Sequence, residues 1–141
     1  MRGVRAVALA AVCLSAAIAL AIGPGQPFDD DDPGCVPDTS DHRKCSETLA
    51  KAFAKLAQAA LKCHEKMAYS FFTGRAFDEE ACEEFDPLTG RGARDRYSVR
   101  ALKLIAHGGC PPCLDAIHQE ALAVRTMNQV DADNARLYPC P

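Results

Sequence analysis

The chain has 141 residues, 48% of them hydrophobic, with no Trp, aromatics at only 6% and a formal net charge of −3. That length suits one domain, and the acidic balance argues against nucleic acid as a partner. Much of the apolar fraction is Ala, which buries little area, so the interior is a weak one and calls for covalent cross-links.

The first 21 residues have the order of a secretory signal: Arg2 and Arg5, then an uncharged run from Ala6 to Ile22, with Ala19-Leu20-Ala21 offering small residues at the cleavage spacing. Cleavage is expected after Ala21. The rival is an uncleaved anchor, against which stand the 17-residue run and its Ala content. Such a retained segment is the only route to a membrane that the sequence offers. Cys13 lies inside this run. Without the signal, 14 basic and 19 acidic residues remain, a formal charge of −5. Ala- and Arg-rich usage suggests a bacterial source.

Residues 22–39 read as a flexible leader, because Gly23-Pro24-Gly25, the run Asp29 to Asp32 and Pro33-Gly34 cannot build a core. The domain proper is expected over 40–141. Its first helix should span about Ser40 to Thr73, where Cys45, Leu49, Ala52, Leu56, Ala60, Cys63, Met67 and Phe71 recur at three- and four-residue steps and form one stripe. Thr39 or Ser40 can cap its start and Gly74 can end it.

A short second helix should follow Asp78, with Phe77, Ala81, Cys82 and Phe85 on one side and Glu79, Glu80, Glu83 and Glu84 as an exposed acidic face. A third is expected over Ala93 to His107, with Tyr97, Ala101, Leu104 and Ile105 inward, stopped by Gly108-Gly109. The basic stretch Arg91, Arg94, Arg96, Arg100 and Lys103 reads as its solvated face. A fourth should start near Pro112, turn Leu114, Ile117, Ala121 and Val124 inward, and fade near Met127, with Val130 to Leu137 adding one more short turn. The fold expected is all-α: a small disulfide-stapled bundle of about four helices, the long first one packed antiparallel against the later ones.

In an exported chain of this size, Cys35, Cys45, Cys63, Cys82, Cys110, Cys113 and Cys140 read as a disulfide framework with one odd member. Cys45 and Cys63 are 18 residues apart, five helical turns or about 27 Å, so they share an azimuth but cannot bond to each other. Cys63 with Cys82 is the natural local closure. Cys45 needs a partner that returns to the helix start, and either Cys110 or Cys113 serves. The member of that pair left over falls to Cys35 or Cys140. The style resembles the disulfide-bridged helical hairpins of several unrelated small proteins. A twin nine-residue cysteine spacing and the adjacent Cys-Cys of plant lipid-transfer proteins are both missing.

Cys110-Pro111-Pro112-Cys113 is the sharpest local motif. Two cysteines at this spacing before a helix can form a redox dithiol, and with His107 or His118 they could hold zinc. No βαβ context accompanies them, and an oxidising compartment favours separate structural bridges. Leu114 in place of a His excludes c-type haem attachment. Asp29 to Asp32 read as a solvated linker rather than a calcium site, and Asp131 and Asp133 begin a calcium loop that lacks its glycine and distal glutamate. No catalytic residue, metal site or cofactor is expected. The reading is a structural or binding module outside the cytoplasm, with a protein partner or a small apolar ligand between the helices as candidate occupants. The alternative is a thiol redox or metal-handling protein working through Cys110 and Cys113.

Overall fold

A computed structural model describes residues 23–28 and 34–139; the signal segment, Cys13, Asp29 to Asp32 and Cys140 lie outside the described residues. The described residues are all-α, with four helices: α1 (Ser40–Phe72), α2 (Glu79–Glu83), α3 (Ala93–Ala106) and α4 (Ala116–Leu137). None of them is long and apolar enough to cross a membrane.

α1 starts where the Thr39 side chain accepts the His42 N–H, 3.1 Å away. It ends at Gly74, whose φ of 70° is open to glycine at little cost. Its inner stripe is the one read from periodicity: Cys45, Leu49, Ala52, Leu56, Ala60 and Cys63 are buried. Beyond Met67 the stripe is not covered: Phe71 is exposed and Phe72 is 90% exposed, and Tyr138 at the end of α4 meets Tyr69 and Phe72 only across an open groove.

α3 runs antiparallel to α1 and adds Ala93, Tyr97 and Ala101 to the core. Ala93 lies across from Leu56 and Ala59, while the chain after α3 reaches the start of α1. Gly108 and Gly109, at φ 75° and 80°, then turn the chain, and Leu114 N–H donates to the Pro111 carbonyl at 2.9 Å. α4 therefore runs back in the direction of α1. The core is small and built largely of Ala, with Leu56 and Met127 its bulkiest fully buried side chains.

α4 departs from the sequence expectation in both extent and phase. Pro111, Pro112 and Cys113 form a turn, and the helix begins only after Asp115, whose carboxylate accepts the His118 N–H at 2.8 Å. It continues to Leu137 instead of fading near Met127. Gln119, Ala123 and Met127 face the core, whereas Ile117 is 79% exposed. Ala121 and Val124 line an open groove of about 890 Å³ along the outer side of α3 and α4. Apolar residues occupy both sides of this helix, and the contacts of Gln119 with Tyr97 and of Glu120 with Arg94 orient it on α3. Phe85 is likewise exposed, because α2 stops at Glu83 and the helical phase does not extend to it.

The described part of the leader, residues 23–28 and 34–39, carries backbone pairing. Gly25 N–H donates to the Val36 carbonyl at 2.8 Å, Val36 N–H donates to the Gln26 carbonyl at 2.9 Å, and Pro27 pairs with Cys35 in an isolated antiparallel bridge.

The α2–α3 junction depends on close backbone approach. A Cβ on Gly92 would lie 2.6 Å from the Glu84 carbonyl oxygen. Gly92→Ala is expected to cost about 1–3 kcal/mol, the range for forcing atoms into a filled site, measured as a lower urea midpoint. The Asp95 carboxylate secures the same junction by accepting from the Gly92 and Asp86 N–H groups at 3.1 and 3.0 Å.

Arg94 departs from the solvated basic face. It is partly buried and bridges Glu84 at the end of α2 to Glu120 on α4. The Arg94 guanidinium, ahead of the other contributions, holds the Glu120 carboxyl below the usual carboxylate range. A depressed carboxylate contributes stability above its unfolded-state pKa and loses it as pH falls through the folded value. Glu120→Gln should therefore cost about 0.2–1 kcal/mol near neutrality, given the partial exposure. That difference should vanish in acid, as acid and neutral urea titrations of both proteins would show.

Candidate functional site

The disulfides decide which side chains meet. Cys63 on α1 is bonded to Cys82 on α2, and Cys45 near the start of α1 is bonded to Cys110 after α3. Each bridged cysteine of the first pair is followed by an ionisable residue, His64 after Cys63 and Glu83 after Cys82. Drawing the two cysteines together places these neighbours in contact.

The result is a buried polar centre between α1, α2 and α4. His64 and Glu83 have side chains only 4% and 6% exposed. His64 Nδ1 lies 2.7 Å from Glu79 Oε1, and His64 Nε2 lies 3.1 Å from Glu83 Oε1. Asp131, half-exposed on α4, brings its Oδ1 to 3.3 Å from the same Nε2. Glu79 and Glu83 share a face of α2 by their four-residue spacing. Asp78 fixes the start of that helix by accepting the Ala81 N–H at 3.0 Å.

Glu79 and Glu83 are thus not part of an exposed acidic face; of the four glutamates there, Glu80 is the exposed one. The short link from α1 and the Cys63–Cys82 bridge turn this side of α2 inward. The electrostatic consequence is large. Burial first, then the charges of Asp131, Glu79, Glu80 and Glu84, push the Glu83 carboxyl up to about 8. Among the described residues no Lys or Arg makes an ion pair with Glu79, Glu83 or Asp131. Both His64 ring nitrogens, Glu79 Oε1 and Glu83 Oε1 are buried without an aligned hydrogen bond, despite their short separations.

The Cys110–Cys113 motif is divided. Cys110 is committed to Cys45, leaving Cys113 exposed and without a disulfide partner among the described residues. Cys35 is also exposed and unbridged there, and it lines the same groove as Cys113, with Pro111 and Leu114 between the leader and the α3–α4 turn. His118 is paired to Asp115 at 2.8 Å on the surface, and His107 is exposed. The four donors imagined for zinc around Cys110 are therefore not assembled. The donor group that is assembled is His64, Glu83 and Asp131, whose ligand atoms all lie within 4.8 Å of one another.

The signal for this centre was partly present in the sequence. Given a Cys63–Cys82 bridge, His64 and Glu83 must be neighbours. Asp131 joins them because α4 runs unbroken through Met127 to Leu137, where the sequence suggests a fading helix and a separate short turn. Comparison with protein-family models, with curated proteins and with solved structures finds no match.

Proposed function

We propose that the protein is an exported, disulfide-stapled binding module that works outside the cytoplasm, secreted or periplasmic, and not as a thiol oxidoreductase. The observation that carries this reading is the long-range Cys45–Cys110 bridge, which spans 65 residues and ties the first helix to the corner before the last. It uses one sulfur of the Cys110–Cys113 pair for scaffolding, so that pair is not a dithiol poised for exchange. Disulfides of this kind persist in oxidising compartments, in keeping with the charged, apolar and small-residue order of the first 21 residues.

The test is a non-reducing peptide map and N-terminal sequence of the exported protein. The reading expects an N-terminus following Ala21, with Cys45–Cys110 and Cys63–Cys82 linked peptides. A Cys110–Cys113 bridge, or both of those thiols free in the native protein, would replace it with the redox alternative.

A further inference from the structure

We infer that His64, Glu83 and Asp131 form a binding site for one divalent transition-metal ion, zinc foremost, with Glu79 orienting the histidine from behind. The site deepens the binding-module reading and rests on it for the oxidised Cys63–Cys82 bridge that holds α2 in place.

Geometry supports it first. Two donors each about 2.05 Å from a tetrahedral zinc lie about 3.3 Å apart. The separations from His64 Nε2 to Glu83 Oε1 and Asp131 Oδ1 are 3.1 and 3.3 Å. Both match edges of such a tetrahedron, and the three ligand atoms all lie within 4.8 Å of one another. Hydrogen bonds would instead aim a ring N–H at one oxygen, and none of the close contacts is so aligned.

Charge supports it second. Three carboxylates surround one imidazole, so full ionisation would leave the centre doubly negative even with a proton on each ring nitrogen. Leaving such charge buried and unpaired is costly. No cationic side chain of the described residues enters the centre. A dication supplies the missing charge, and the site's mixed nitrogen and oxygen donors favour a transition metal over calcium or magnesium, which prefer all-oxygen shells.

The surroundings support it third. A metal-bound histidine usually gives its other ring N–H to a carboxylate, which fixes the tautomer and strengthens the ligand. Glu79 Oε1 stands 2.7 Å from His64 Nδ1, within reach of that role, although the ring N–H is not aimed at it here. Asp131 is 54% exposed, so the site has a solvent side through which an ion enters and where water completes the shell.

The experiment uses the full exported chain with its disulfides intact, stripped with EDTA and titrated with zinc chloride by calorimetry. Cobalt(II) serves as a spectroscopic probe of coordination. One ion per chain is expected, together with the visible absorption of four-coordinate cobalt and a higher melting temperature with zinc than with EDTA. Asp131→Asn changes a half-exposed residue and should fold normally while weakening zinc by more than the ~10–100-fold that a supporting residue contributes; Glu79→Gln should weaken it within that range. Glu83→Gln removes a ligand carboxylate from a buried position, so it should weaken zinc binding while the melting temperature in EDTA holds or rises. A structural ion pair would show no such opposition. Absence of binding would overturn the inference, as would zinc binding left undiminished in Asp131→Asn and Glu83→Gln, which would place the ion at surface pairs such as His42–Asp38. Either result with the two bridges intact leaves the stapled module standing, whereas free Cys63 and Cys82 thiols would remove both.

Discussion

Replacing Cys45 and Cys110 together by Ala is expected to lower the unfolding free energy by about 4 kcal/mol. The bridge closes a loop of 65 residues, and in the chain-entropy account the gain grows with the logarithm of loop length. The Cys63–Cys82 bridge, with a separation of 19 residues, should contribute about 3 kcal/mol on the same basis. Domains of this size are stable by only about 5–15 kcal/mol. Here Ala supplies five of the eleven buried apolar residues and only two bulky side chains are fully buried, so the apolar term sits at the low end. Loss of the longer bridge should lower the melting temperature by about 20 °C, at 4–8 °C per kcal/mol. Circular dichroism melts of the double-alanine protein beside the wild type measure it. A fall worth under about 1 kcal/mol would mean that helix packing alone sustains the domain.

The wiring follows from local chemistry that a sequence can display. A helix with cysteines five turns apart on its apolar stripe has to bond outside itself, and Cys82 lies just past a turn that returns the chain to Cys63. The choice of Cys110 over Cys113 has a different origin. Gly108 and Gly109 turn the chain so sharply that a Cβ on Gly109 would lie 3.4 Å from the Asp41 side chain. The next residue, Cys110, is therefore delivered to the start of α1, while Pro111 and Pro112 carry Cys113 away. Periodicity cannot show such a turn.

The buried centre was obscured for another reason. Charge patterning treats adjacent glutamates as solvated, since water stabilises them in most surroundings. Glu83 is an exception forced by connectivity. It follows a bridged cysteine on a five-residue helix, and the side of α2 that carries it has α1 and α4 for neighbours. Asp131 completes the group because α4 continues past Met127, a length that polar residues toward its end concealed. Binding residues placed this way by covalent constraint contradict their local pattern, which is how functional positions tend to escape sequence rules.

Met127→Ala should cost about 2–5 kcal/mol, the range for truncating a long buried side chain, while Ile117→Ala should change stability by less than about 0.5 kcal/mol. The contrast tests the phase of α4. Heptad-like spacing of Leu114, Ile117, Ala121 and Val124 would make Ile117 the core residue, but in the structure Met127 is 1% exposed and Ile117 is on the surface. The phase is anchored at two further points. Tyr97 donates its hydroxyl to Gln119 Oε1 at 2.6 Å inside the core, and Glu120 holds Arg94. Rotating α4 to bury Ile117 would expose Met127, break the Tyr97 bond and turn Asp131 away from His64. Urea denaturation of the two alanine variants reads the outcome directly. Equal losses, or a larger loss at Ile117, would reverse the register and with it the approach of Asp131 to the buried histidine.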